Sequence, residues 1–391
     1  MSSKLVAGLV VGCAALVAAC STTTAGEAVV AGPSPSSAAP SAADPTVTVP
    51  AGLDTGTFPT TARTVPATSV SRWVAEGNRM GDDALIQTDA VDPRLVVGGA
   101  ALRSFPVLPI SAIEDGVRSR VPDATADVFV ANNLRVGMST TRGDRLENPT
   151  VALRMGIYRF DTPQIALKVV ESIRTATAAA RPVAITGTPN VLSSEFKPGT
   201  VDSYVAEGPF VLNISGTGPT TADGAQFVTK AYPLELAKLR AFSPTPIEAM
   251  PNIAVDRDGI VSRTLPVDAS VPLPEIQTGG FAYNSLLHRL PDLTKTATYQ
   301  NAGIDLIGMA GSVVYRTRDA AAATAMVEAA ASKNPPVDGI PQLPAVKCMT
   351  SGTLTFCWSA VGRYAASVND KNPTVARQKA AAQYTILATT R

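Results

Sequence analysis

One histidine, His288, serves the whole chain of 391 residues. Any Ser–His–Asp or Cys–His arrangement must use it. Its setting, SLLHRLPD, reads as the end of an amphipathic helix, where a cation is favoured by the backbone dipole. Cysteine is nearly as scarce, with four in the chain, so neither a zinc site nor any other metal or cofactor is expected. No G-x-S-x-G elbow, Walker loop or G-x-G-x-x-G occurs, and Gly216-Thr217-Gly218-Pro219 reads as a turn. Formal net charge is only +1, which argues against a nucleic-acid or polyanion partner. Beyond the N-terminus no apolar run is long enough to span a bilayer.

What is present begins with a leader. Lys4 precedes an apolar stretch from Leu5 to Ala19, the pattern of a secretory signal peptide. Val17-Ala18-Ala19-Cys20 resembles the bacterial lipobox, which implies a cut before Cys20 and acyl chains on its sulfur. Each buried CH₂ of such a chain contributes about 0.8 kcal/mol, so a multiply acylated cysteine holds firmly to the outer face of the cytoplasmic membrane. Residues 20–52 are mostly Ser, Thr, Ala, Pro and Gly, and read as an extended, disordered stalk. Hydrophobic residues make up 45% of the chain, so the remainder can bury a core.

Two further cysteines stand in KCMTSGTLTFCW. Folded as a hairpin with Gly352-Thr353 as its loop, this stretch sets Ser351 against Leu354, Thr350 against Thr355, Met349 against Phe356 and Cys348 against Cys357. Directly opposed residues have Cβ atoms roughly 4.5–5.5 Å apart, near disulfide reach. An exported location permits the bond, and a structural disulfide between Cys348 and Cys357 is expected. The CxxC spacing of a redox pair is absent.

The chain also repeats itself. GIYRFDTPQIALKVVESI (156–173) parallels SVVYRTRDAAAATAMVEAA (312–330), each a strand ending in Tyr-Arg, then a cap, then a helix. SYVAEGPFVLNI (203–214) parallels CWSAVGRYAASV (357–368), each a strand, a glycine turn and a returning strand, and a helix follows both. Upstream, 110–133 parallels 281–302, with Pro-Asp in each. The expected fold class is α+β, as two tandem repeats of antiparallel sheet covered by helices, each reading α-β-β-α-β-β-α. Their bounds are 108–242 and 280–391. A segment at 53–107 reads as an N-terminal extension with a helix near 71–80, and 243–279 as a proline-rich connector. Thr162-Pro163 and Asn372-Pro373 should cap helices. Pro233 should break or kink the last helix of the first repeat.

Candidate chemistry is thin. Leu53-Asp54-Thr55-Gly56-Thr57 has the form of an aspartic-protease signature, but no second Asp-Thr-Gly exists to share a proton, so an Asx-type turn is expected. Asp82-Asp83 and Asp256/Asp258 are the closest acidic pairs, and D-R-D-G reads as a turn. Tyr158-Arg159 and Tyr315-Arg316 recur at matching repeat positions and are the candidate ligand contacts.

LDTGTFPTTAR (53–63), EGNRMGDDALI (76–86), VDPRL (91–95) and CWSAVGRY (357–364) together resemble a family of uncharacterised actinobacterial lipoproteins, of mycobacterial or nocardial type. The resemblance implies an envelope location and a domain of unknown function, and supplies no catalytic residues. The expectation is a non-enzymatic envelope lipoprotein, anchored by lipid, that binds an envelope ligand or a membrane protein partner. Two alternatives stand beside it: a carboxylate-based hydrolase of wall polymers, and a sensory or accessory subunit of a membrane complex.

Overall fold

The computed structural model describes residues 47–109, 116–267 and 275–390. The leader, Cys20 and the stalk up to residue 46 lie outside the described residues, as does 110–115 at the start of the first repeat. The described residues open with α1 (Ser69–Asp83), β1 (Val97–Gly98) and β2 (Pro106–Val107). The first module continues as α2 (Asp123–Ala131), β3 (Val136–Gly143), β4 (Ala152–Arg159), α3 (Pro163–Ala176), β5 (Leu192–Lys197), β6 (Thr200–Glu207), β7 (Phe210–Thr217) and α4 (Thr221–Ala241). The second begins with β8 (Gly279–Phe281), α5 (Tyr283–Arg289), α6 (Ala297–Ala302), β9 (Leu306–Met309) and β10 (Val313–Arg316). It ends with α7 (Ala320–Ala331), β11 (Lys347–Ser351), β12 (Leu354–Val361), β13 (Tyr364–Asp370) and α8 (Pro373–Thr389).

Each module is a mixed helix and antiparallel-sheet unit, and the two sheets share one topology. Their strand orders are β1-β3-β4-β7-β6-β5 and β8-β9-β10-β13-β12-β11, with β2 also pairing β3. The helix that leads from an inner strand to the edge strand, α3 or α7, and the helix after the last strand, α4 or α8, fall at the same places in both. The repeat differs from its sequence reading by one strand: the order is α-β-β-α-β-β-β-α. The extra strand is β5, whose sequence, LSSEFK, lies on a half-exposed sheet edge and carries no buried alternation to mark it.

Local rules account for most helix starts. The Thr162 hydroxyl accepts from the Ile165 N–H with Pro163 at the first turn, and the Asn372 side chain accepts from Thr374 N–H. The spacing of α3 predicts one face of Ile165, Val169 and Ile173 beside Ala166 and Val170; Ala166, Val169, Val170 and Ile173 are buried and Ile165 is half-buried against them. Of the expected break or kink at Pro233, the break does not occur: α4 runs as one helix from Thr221 to Ala241 with Pro233 inside it. A capping box at Thr220 and Asp223 starts it, and Phe227, Val228, Ala231, Tyr232, Leu236 and Leu239 are buried along it. Burial of that stripe outweighs the one backbone bond proline removes.

The 53–107 segment joins the modules. α1 packs on β3 of the first sheet and on β8 and α5 of the second. Gly77 and Gly81 permit this approach, because a Cβ at Gly81 would stand 2.6 Å from Ser285 Oγ and one at Gly77 2.8 Å from the Pro106 ring. The short helix α5 is capped at both ends from outside its own module. Asp82 accepts from the N–H groups of Ala282 and Ser285, at 2.8 and 2.9 Å. At the other end the buried Arg142 guanidinium of β3 donates to the carbonyls of Leu287 and Leu290, at 2.6 and 2.7 Å. Helix termini leave such groups without intrahelical partners, so two side chains of the first part of the chain complete a helix of the second.

Residues 47–65 lie on the second module, where Val47 and Val65 pack near Leu387, and Leu53 and Phe58 pack near Ala376 and Ala380. The hairpin of β11 and β12 has the register expected from sequence, with Cys348 opposite Cys357 and Met349 opposite Phe356. Gly352 takes the left-handed φ of +60° that its tight loop requires. The Cys348–Cys357 disulfide is present and buried. A loop this short gives a chain-entropy contribution of about 2–3 kcal/mol.

Candidate functional site

Alternation along the second sheet separates two faces. Cys348, Cys357, Val368 and Val314 face α8 and pack against Ala376, Ala380 and Leu387. The opposite face carries Met309, Val313, Ser367 and Trp358 as one row across four adjacent strands. Phe356 and Met349 form the next row beside Asn369. α7 covers part of this face through Ala323, Met326 and Val327. The rest opens into a cleft of about 330 Å³, closed on its far side by Val97, Gly98, Ala100, Ala101, Phe105 and Leu146 from the first part of the chain. Tyr315 stacks on Trp358 in its wall, with ring centroids 5.7 Å apart and planes 12° apart. Such concave, mainly apolar junctions between modules are where small-molecule ligands bind. A depression of about 440 Å³ beside α4 is more open and has no aromatic residue in its lining.

The same row in the first module has a different chemistry. Counting from Tyr158 and Tyr315, which end β4 and β10 alike, Met309, Val313, Ser367 and Trp358 correspond to Ser139, Gly156, Asn213 and Tyr204. Phe356 corresponds to Asp202. The first face is therefore a polar cluster: Asp202 accepts from Tyr204 Oη at 2.5 Å, Asn213 Nδ2 at 2.9 Å and Arg154 Nη2 at 3.1 Å. Tyr204 and Asp202 are buried, and α3 lies over the same side. One duplicated surface is closed over hydrogen bonds, and the other is left open and greasy.

Of the four candidate contacts, only Tyr315 lines the cleft. Tyr158 is fully buried beneath Phe129, and burial pushes its hydroxyl up to about 12. Arg159 is buried in an ion pair with Glu76, donates to the Thr245 carbonyl, and lies over the Trp73 ring. Arg316 holds Asp305 and Asp258 at the surface, at 2.8 and 2.9 Å. The matching Tyr-Arg pairs are thus brought into four different settings, and do not converge. Trp358, Phe356, Met309 and Arg289 line the cleft as well, and none of them is among the four candidate contacts. The hairpin register contained part of that signal, because placing both cysteines on one face puts Met349, Phe356 and Trp358 on the other.

Other expectations resolve locally. The Asp54 carboxylate accepts from Gly56 N–H at 3.0 Å, the expected Asx turn, and from Gln378 Nε2 at 2.9 Å. Asp256 likewise accepts from Val261 N–H at 2.6 Å and closes a turn. Asp82 is a helix cap. The cationic reading of His288 is corrected: the ring is fully buried, and desolvation together with Lys238, Arg142 and Arg289 holds it far below its usual range, so it is neutral. The α5 terminus already has a cation, Arg142, and a second beside it is disfavoured. Among the described residues no cluster of three or more His, Cys, Asp or Glu is placed to hold a metal.

Residues 63–255 match the model of the Domain of unknown function (DUF7373) N-terminal, and residues 260–390 match that of the Domain of unknown function (DUF7373) C-terminal. The chain belongs to the DUF7373 family. Its C-terminal model starts at Ile260, whose side chain enters the second module's core. The cleft is thus lined from both DUF7373 domains. No curated protein matches the chain. Among solved structures, the extracellular domain of PknH from Mycobacterium tuberculosis is similar over 30% of this chain and 70% of that one, at 11% identity and a TM-score of 0.24. A likeness at that level carries no argument about fold or function.

Proposed function

We propose that this DUF7373 protein is a non-catalytic binding protein of the cell envelope, tethered by lipid at Cys20, whose ligand is an apolar molecule seated in the cleft of the second module. One observation carries the reading. A duplicated sheet face that is closed and polar in the first module is open in the second, with Phe356, Trp358, Met309 and Val313 at the corresponding positions. Trp358 and Val313 are buried at the base of the cleft, while Phe356 and Met309 are only partly buried, and leaving large apolar side chains partly uncovered at a cleft is costly unless something covers them. The described lining of the cleft contains no aspartate or glutamate, so a carboxylate hydrolase has no acid–base pair there.

The chain has two tryptophans, Trp73 at the module junction and Trp358 in the cleft. A Trp73→Phe variant therefore reports on the cleft alone. Titration with a long-chain alcohol, dodecanol, should shift Trp358 emission to the blue and saturate at one equivalent. Phe356→Asp should weaken that binding about tenfold or more, since it buries a charge against the chain. Absence of saturable binding by aliphatic ligands with either neutral or charged heads would overturn the reading. Tethering has its own test. Cys20→Ser should move the protein from the membrane fraction to the soluble one and abolish labelling by radioactive palmitate, whereas unchanged fractionation and labelling would remove the anchor.

A further inference from the structure

Arg289 is an unusual residue to find in the wall of an apolar cleft. It is 5% exposed and lines the cavity beside Leu286, Leu290 and Phe105. Its guanidinium lies over the Phe281 ring at 4.0 Å and beneath Phe105 at 5.7 Å. Every hydrogen-bond partner it has is neutral. Nη1 donates to the Ser285 carbonyl at 2.7 Å and to Ser285 Oγ at 2.6 Å, and Nη2 donates to Asn78 Oδ1 at 2.6 Å. Nε has no partner. Asp82 acts on it only at longer range, being engaged as the cap of α5.

A buried guanidinium without a contacting anion is an incomplete ion pair. The remaining charged residues of the lining have the same sign. Lys333 and Lys379 stand in the same cleft, and no carboxylate does among the described residues. Lys333 donates to Thr298 Oγ1 and Lys379 is paired with Asp370, so both are held in place at the wall. The cleft therefore combines an aromatic and methionine floor with a buried guanidinium that no carboxylate contacts, and no acidic side chain stands in its described lining.

From this we infer that the occupant is a single-chain anionic amphiphile, with its aliphatic chain on the face of Trp358, Phe356 and Met309 and its carboxylate or phosphate head against Arg289. The inference rests on the cleft-binding reading and adds the sign and place of the head. Arginine suits either head, because its planar N–H fork matches both carboxylate and phosphate geometry.

The test is a head-group series at fixed chain length on the Trp73→Phe protein, each ligand held below its aggregation concentration. Dodecanoate, dodecyl phosphate, dodecanol and dodecyltrimethylammonium are titrated against Trp358 fluorescence. A charge-assisted hydrogen bond in a buried site corresponds to about tenfold or more in affinity. At least one anion should exceed dodecanol by that factor, with the ammonium weakest, and the ranking of carboxylate against phosphate identifies the source. Arg289→Gln should remove the anion preference, so that the best anion and dodecanol then bind within about twofold of each other. Should that variant fail to show the wild-type urea transition, the series on the parent protein still decides. Equal or tighter binding of dodecanol overturns the head-group assignment and leaves the cleft reading standing. If none of the four binds, both fall.

Discussion

Replacing Glu76 by alanine should cost about 3–5 kcal/mol of unfolding free energy, the largest single effect expected in this protein. Glu76 is fully buried on α1. Its two oxygens accept from Arg159 of β4, from Arg79, and from the N–H and hydroxyl of Thr245, at 3.0 and 2.8 Å for the last two. One carboxylate thus ties the joining helix to the first sheet and to the segment that leaves α4. Its removal leaves Arg159, only 3% exposed, without an anion, and the desolvation of that charge dominates the loss. The double variant Glu76→Leu with Arg159→Met removes both charges, and should recover most of the stability lost by the single change. Urea unfolding of the three proteins checks this. A single-variant loss below about 1 kcal/mol would show that the junction does not depend on the pair.

Glutamine at position 235 should stabilise the protein at alkaline pH and do little at pH 5. Glu235 is fully buried on α4, and desolvation pushes its carboxyl from 4.5 up to about 8, with Ile86 N–H and Lys238 opposing. Only one oxygen has a partner, Ile86 N–H at 2.9 Å, and Oε1 has none. The folded state thus keeps a proton that the unfolded state releases above about 4.5. The stabilisation is complete below that pH and is lost as pH rises toward 8. One pKa unit corresponds to about 1.36 kcal/mol, so the loss across the interval amounts to several kcal/mol. His288, on the other side of Leu85–Gln87, has the opposite sign. Its ring is neutral when folded, so its contribution is present above 6.5 and lost as pH falls. Stability of the parent protein should therefore peak in weakly acidic to neutral solution. The gain of Glu235→Gln over the parent, read from urea midpoints between pH 5 and pH 8.5, should grow steadily with pH. A gain independent of pH would mean that Glu235 is ionised in the fold.

The sequence alone determined the parts of this protein whose physics is local or periodic. Tyr-Arg strand ends, Thr-Pro and Asn-Pro caps and the period-3.6 stripe of α3 gave the duplicated α+β architecture, because each is set by neighbours within a few residues. The Cys348–Cys357 bond and the register around it followed from one glycine turn and the two-residue period of a strand. What tertiary structure decided was everything that depends on a partner far along the chain. That Arg142 and Asp82 cap α5, that Glu76 is the counter-ion of Arg159, and that Tyr158 is core while Tyr315 lines a cleft are facts about separations of tens to hundreds of residues. No local rule ranks one arginine above another for such roles. Burial chooses among them: a charge or a ring takes its function from what desolvates it and what stands opposite, and both are properties of the folded junction between the two modules.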